Sequence, residues 1–376
     1  MISGAFNRIR VLTAVTFSLL IGLWTGCSPT TNPNNDSGAV SIIQIEAGCI
    51  HNFALKSDGT LWVTGYGGNG QLGNGNNNNT NVWVQVLTGV SKMAGGASHS
   101  LALKSDGTLW ATGDGGFGQL GNGNTNDTNL WVQVLTGVSA ISAGYDHSLA
   151  LKSDGTLWAT GYGGEGEFGI GNNNNTNVWI EVLTGVSKMT GGYYCSLALK
   201  SDGTLWAAGY GGAGQLGNGN NNNTNVWIQV LTGVSAMAGG NCYNFALKSN
   251  GTLWAAGYGG FGQLGNGNTN DTNVWVQVLT GVSAISAGYD HSLALKSDGT
   301  LWATGYGGFG QLGNGNTNAT NVWIQVLTGV SKMAGGYDCS LALKSDGTLW
   351  ATGYGGNGQL GNGNNVSTNS WINVLQ

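Results

Sequence analysis

The chain has 376 residues and a formal net charge of −5, with 70 Gly, 15 Trp, 2 Pro and only 8% charged residues. Ordinary usage is roughly 7% Gly, 5% Pro and 25% charged; scarce proline and the lack of a three-residue period exclude collagen. A hydrophobic content of 40% excludes a charged disordered chain, and the acidic balance argues against a nucleic-acid partner.

The first element reads as an address. Arg8 and Arg10 precede an apolar stretch from Val11 to Leu23, too short for a membrane span and suited to a secretory signal. It runs into Leu23-Trp24-Thr25-Gly26-Cys27, which resembles the lipobox of bacterial lipoproteins. The resemblance implies that residues 1–26 are removed and that Cys27 is lipidated. The membrane would then be met through a lipid anchor only, in the bacterial cell envelope. Ser28 in the next position implies the outer membrane. Residues 27–39 hold both prolines, Pro29 and Pro33, and read as a flexible tether. Loss of both arginines leaves a net charge of about −7, again unlike a nucleic-acid binder.

From residue 40 to 376 the chain is periodic. Leu-Trp recurs at 61/62, 109/110, 157/158, 205/206, 253/254, 301/302 and 349/350, and a second Trp column runs from Trp83 to Trp371, always 48 residues apart. Residues 89 to 136 show the unit. Val90 to Ala94 alternates apolar and polar, as a short strand does, and Gly95-Gly96 turns the chain. Ser100 to Lys104 predicts a second strand, and Ser105-Asp106-Gly107 a tight hairpin. Thr108 to Thr112 predicts a third strand. A Gly-rich loop and an Asn/Thr stretch follow, then a fourth strand from Asn129 to Leu135. No helical period lasts beyond two turns. Seven units of four antiparallel strands predict an all-β, seven-bladed β-propeller. Ordinary first and last units, without caps, favour a closed ring over an open solenoid.

The run Met93-Ala94-Gly95-Gly96-Ala97-Ser98-His99-Ser100-Leu101-Ala102-Leu103, followed by Ser105-Asp106-Gly107 and Gly118-Gln119-Leu120-Gly121, resembles the regulator of chromosome condensation repeat. The resemblance covers all seven units and implies a seven-bladed propeller; the same superfamily includes a propeller that inhibits β-lactamase. The chain departs from the family at Thr112-Gly113, where Trp-Gly is usual, at Gly115 in place of Asn, and in lacking proline throughout the repeats. These departures and the secretion signal weaken any transfer of exchange-factor activity.

His51, His99, His147 and His291 share one repeat column with Cys195, Tyr243 and Cys339. A repeated column is first an architectural demand, so a structural role is expected over a ring of ligands. Asp146-His147-Ser148 and Asp290-His291-Ser292 look like triads, but adjacent residues on a strand point to opposite faces. No nucleophile elbow, zinc motif or phosphate loop occurs, and no cofactor or metal is expected. The Asn runs hold too few carboxylates for calcium. Four cysteines remain: Cys195 and Cys242 fall on neighbouring blades, as do Cys339 and Cys49. Disulfides Cys195–Cys242 and Cys339–Cys49 are one reading, four free thiols the other.

Comparing the units with one another separates two faces. The second connection is Ser-Asp-Gly in every unit but one, where Asn250 stands, and the inter-unit link is Leu-Thr-Gly-Val almost throughout. The first and third connections vary. They carry Tyr145, Tyr193, Tyr194, Tyr289 and Tyr337, the acids Asp146, Asp290 and Asp338, and Phe117, Phe261, Phe309 and Glu165. Aromatic loops on a rigid scaffold suit recognition. The expected function is a non-enzymatic, monomeric protein-interaction module working through that face. A glycan-binding propeller is the first alternative, and an envelope lyase or hydrolase with an axial site the second. Glu167 and Glu181 join Glu165 in the third unit; solvated surface charge is the plainer reading of that cluster.

Overall fold

The computed structural model describes residues 40–375, so Cys27, the signal and the tether lie outside the described residues. The first blade comprises β1 (Ile42–Ala47), β2 (His51–Lys56), β3 (Leu61–Gly65) and β4 (Thr80–Leu87), and the second β5 (Val90–Gly95), β6 (His99–Lys104), β7 (Leu109–Gly113) and β8 (Thr128–Leu135). The pattern repeats through the seventh blade, Val330 to Leu375. Each blade is a separate four-stranded sheet whose strands pair in chain order, all antiparallel. The propeller predicted from the repeat is therefore present, with strand ends within a residue of those expected.

Side-chain size explains how the blades nest. Every second strand is buried on both sides. Leu101 and Leu103 of β6 face the third blade, where they meet Ala150, Val138 and Trp179 together with Leu109 and Leu120. Ala102, between them, faces the first blade and packs on Phe53, Leu55 and Leu61. Each seam thus sets large side chains of one blade against the alanine of the next, the size complementarity of close packing. The seam between the seventh and first blades is built the same way, with Leu341, Leu343 and Leu349 against Ile42, Ala54 and Trp83. The ring closes by packing, and among the described residues no strand is exchanged between its ends.

The third connection hooks each blade onto the next. In the second blade Gly118 sits against the Thr176 carbonyl and Asn177 backbone, and Gly121 lies beneath the Trp179 indole; a Cβ at Gly121 would fall 2.2 Å from the indole nitrogen. Gly121 also has φ +66°, a left-handed conformation that side chains resist. Close approach and positive φ together account for the invariant Gly of the Gln-Leu-Gly triplet.

Candidate functional site

First strands line the axis of the ring, and the opening they enclose holds about 380 Å³. The first and third connections of every blade emerge at one end of it, because strands in each sheet alternate in direction. Backbone bonds tie the first connections into a collar: Ala97 N–H donates to the Tyr145 carbonyl (3.1 Å), Tyr145 N–H to Gly192 (3.2 Å), Tyr193 N–H to Gly240 (3.1 Å) and Tyr337 N–H to Cys49 (3.1 Å). The main chain is thus committed, and the side chains are left to the opening.

The predicted tyrosines converge there. Tyr145 and Tyr193 lie 4.4 Å apart between ring centroids, Tyr193 and Tyr194 4.2 Å, and Tyr193 and Tyr289 6.1 Å. Tyr289 and Tyr337 stack at 3.8 Å. Phe117 joins this cluster through Tyr162, which touches Phe117 at 5.2 Å and Tyr194 at 5.4 Å. Phe261 and Phe309 pair with Tyr306 and Tyr354, further out on the same face. The column of Tyr66, Tyr162, Tyr210, Tyr258, Tyr306 and Tyr354, broken only by Asp114, carries no sequence signal of its own because it barely varies between units.

Asp146, Asp290 and Asp338 stand half-buried beside these rings. Burial pushes Asp146 and Asp290 up to about 6 and Asp338 to about 7, neighbouring acids adding to the effect on Asp146 and Asp338. No cation relieves them among the described residues. Seven lysines sit at the opposite end of the ring, each with its ammonium over a Trp ring, from 3.8 Å at Lys152 to 4.5 Å at Lys56. Lys92 and Lys188 donate to the Ser139 and Ser235 carbonyls (2.7 Å each), and Lys332 to that of Ile43, all near the starts of first strands and towards that same end. The loop face instead carries Asp114, Asp127, Asp146, Glu165, Glu167, Asp271, Asp290 and Asp338, and no lysine or arginine among the described residues.

One acid in the opening escaped the sequence reading. Glu46 lies on β1 within the channel wall. The same column in the other blades holds Ala94, Ser142, Thr190, Ala238, Ser286 and Ala334. Burial pushes Glu46 up to about 7. Column comparison extended from loops to first strands would have found it.

The histidine column is structural. His51 Nε2 contacts Ser100 Oγ of the next blade at 2.9 Å, and His99, His147 and His291 contact Ser148, Ser196 and Ser340 at 2.9, 3.0 and 2.8 Å. Ser100 Oγ gives its own proton to the Gln71 carbonyl (2.6 Å), so the imidazole must be the donor. A nucleophile–base pair runs the other way, with the serine proton passing to histidine. These histidines are fully enclosed and burial lowers them, His51 and His99 to about 3, His147 and His291 to about 4. They are neutral latches between blades.

The cysteines enter the same scheme. All four are free thiols, and neither Cys195–Cys242 nor Cys339–Cys49 is bonded. Cys195 Sγ instead lies 3.4 Å from Asn244 Nδ2, and Cys339 Sγ 3.4 Å from Asn52 Nδ2. Where the column holds Cys, the next blade holds Asn; where it holds His, the next holds Ser. Tyr243 completes the set, its hydroxyl reaching Ser292 at 3.1 Å and the His291 carbonyl at 2.6 Å. The Asn runs are likewise internally engaged: Asn78 N–H donates to Asn76 Oδ1 (2.8 Å) and Gly67 N–H to Asn79 Oδ1 (3.1 Å).

Glu167 requires a correction. Read from sequence as part of a solvated surface cluster, it is fully buried. It replaces the Gln that in other blades accepts an N–H two residues upstream, as Gln119 does from Phe117 (2.9 Å). Glu167 Oε2 accepts from Glu165 N–H (3.0 Å), and Oε1 has no partner. Glu165 itself is at the surface, bonded to Asn223 of the next blade.

Fold and site define a seven-bladed propeller with one monotonous face and one elaborated face. The chain belongs to the RCC1-like domain family, whose pattern it matches over residues 24–280. Regulator of chromosome condensation (RCC1) repeats match at 282–311, 298–343 and 330–359. No curated protein matches its sequence. Among solved structures, human WBSCR16 is similar at 24% identity and a TM-score of 0.72, over 81% of this chain and 87% of that one. Prp20p of Saccharomyces cerevisiae, described with its binding to Gsp1p and histones, is similar at 19% identity and a TM-score of 0.76, over 89% and 88%. The same yeast protein bound to Kap60 gives 20% identity and 0.76, over 96% and 91%. At such identities these likenesses speak to the fold.

Proposed function

We propose that this protein is a lipid-anchored module of the bacterial cell envelope that binds another protein through its loop face. The observation that carries the reading is the continuous patch of Tyr145, Tyr193, Tyr194, Tyr289 and Tyr337 over the axial opening. Tyrosines offer large contact area at low entropic cost and dominate many interfaces. The architecture does not require them, because Cys49, Ala97 and Asn241 occupy the column of Tyr145, Tyr193, Tyr289 and Tyr337, and Ile50, Ser98 and Cys242 that of Tyr194. Family membership supports a binding role, as yeast Prp20p is described binding proteins. The anchor rests on the Leu23 to Cys27 signature, with Ser28 favouring the outer membrane.

The test replaces Tyr193, Tyr289 and Tyr337 with Ala and compares capture from envelope extracts with that of the unaltered protein, with a glycan array in parallel. Loss of a specific protein from the capture is the expected result. Unchanged capture by the triple variant rejects the reading, and selective array binding would move it to a glycan. Incorporation of labelled palmitate at Cys27, abolished in Cys27→Ala, tests the anchor.

A further inference from the structure

We infer that the mouth of the axial channel takes a lysine or arginine side chain from the protein partner, its cation seated against the tyrosines, with Asp146, Asp290 and Asp338 flanking the mouth and Glu46 in the channel below. The inference rests on the loop face being the partner surface, and it adds what the partner must present there.

Three observations point to a cation. The first is charge without a counter-charge. Every lysine ammonium lies towards the other end of the ring, that of Lys92 included although its stem lines the channel, while three half-buried aspartates flank the mouth, each next in sequence to one of its tyrosines. Carboxylates at a protein surface rise in pKa when they lose water and gain no cation. Asp146, Asp290 and Asp338 have done so, and an inserted ammonium or guanidinium supplies the missing partner.

The second is Glu46. It lines the channel below the tyrosines, and has no hydrogen-bond or ion-pair partner among the described residues. The residues of its column in the other blades are small, among them Ala94, Ser142, Thr190 and Ala238, and Lys92, which lines the same opening, gives its ammonium to the Ser139 carbonyl instead. A carboxylate that loses water without gaining a partner is disfavoured in its charged form, and the fold does not need this one, since the other blades manage with Ala, Ser or Thr.

The third is the aromatic surround. Tyr145, Tyr193, Tyr289 and Tyr337 line the same opening as Glu46. Aromatic faces attract cations, and the attraction strengthens when water is excluded. An aliphatic stem passing the rings with its charge beyond them fits this order of surfaces. The aspartates are also dispensable to the collar. Their column contributes a backbone carbonyl, accepting from Tyr162 N–H at Asp146 (2.9 Å), and Ile50 and Ser98 do the same at 2.9 Å.

The test measures hexa-arginine binding to the full chain by calorimetry, beside hexacitrulline, its uncharged counterpart. Asp146→Ser, Asp290→Ser and Asp338→Ser together copy Ser98 and keep the fold. Asp58→Asn, Asp106→Asn and Asp154→Asn remove the same charge from the opposite face and copy Asn250, which accepts from Thr252 N–H at 3.1 Å as Asp58 does from Thr60 at 3.0 Å. Hexa-arginine should bind and hexacitrulline should not. The first triple variant should weaken binding at least about tenfold, Glu46→Gln should weaken it further, and the second triple variant should leave it unchanged. Equal binding of both peptides, equal loss in both triple variants, or no loss in the first would overturn the inference. If the tyrosine variant still loses its captured protein while hexa-arginine ignores the aspartates, the interaction face stands and only the cation fails.

Discussion

At Glu167 a carboxyl stands where the other blades carry a neutral amide, and the consequence depends on pH. A free glutamate titrates near 4.5, and burial pushes this one to about 8. Between those values the folded protein holds a proton that the unfolded chain releases. Stability therefore falls as pH rises from about 4.5 and levels off above about 8, the full penalty being on the order of a few kcal/mol. Glu167→Gln restores the amide of the other blades, so it should raise the unfolding midpoint by several degrees at pH 8 and hardly at all at pH 4.5. A scan of midpoint against pH checks this; a gain of the same size at both values would contradict it. Sequence alone showed that Gln-Leu had become Glu-Phe in this blade. It did not show burial, because a carboxylate in a Gly-rich loop ordinarily faces water. Glu46 was missed for the complementary reason: one acid in a column of small residues produces no motif.

Elements meet across blades through the seven latches, and their chemistry comes in matched pairs. His99 pairs with Ser148, whereas Cys195 pairs with Asn244. Both arrangements reach the same carbonyl position in the preceding blade, Ser148 Oγ bonding Gln119 O at 2.7 Å and Asn244 Nδ2 bonding Gln215 O at 2.9 Å. His99→Cys or Ser148→Asn alone should cost about 1–3 kcal/mol by leaving a buried polar group mismatched. The two together should recover most of that loss, which a double-mutant cycle in urea measures. Strict additivity would show that the pairing has no energetic content. The strands themselves were legible because Leu101 and Leu103, Ser105-Asp106-Gly107 and the Leu-Trp column carry local period and turn chemistry. The latch was not, since its partners are 49 residues apart and only the ring places them side by side.

For the whole molecule, the missing strand exchange makes the seam between first and last blades equivalent to the others. Within the ring, Leu-Thr-Gly-Val joins each outer strand to the next inner one. Ser41 takes the place of that Gly: Ser57 N–H donates to the Ser41 carbonyl at 2.8 Å, as Ser105 N–H does to Gly89 at 3.0 Å. Joining Gln376 directly to Ser41 and opening the chain between Thr136 and Gly137 should give a folded propeller whose unfolding midpoint lies within a few degrees of the original. Circular dichroism and a thermal scan decide it, and a permutant without strand signal would show that the closing seam is special. The closed ring was legible from seven uncapped units, but the manner of closure was not, because shared and unshared blades have the same repeat length.

A chain of seven such similar units faces a hazard that unlike domains avoid, since a blade could dock on the wrong neighbour while folding. The seams oppose this. A blade presenting Cys195 satisfies a following Asn but leaves a following Ser without its imidazole donor, and Tyr243 fills space that a His would leave empty. Variation that looks like decay of a repeat thus works as a check on the order of assembly, rejecting some of the shuffled rings that the matching hydrophobic surfaces would accept.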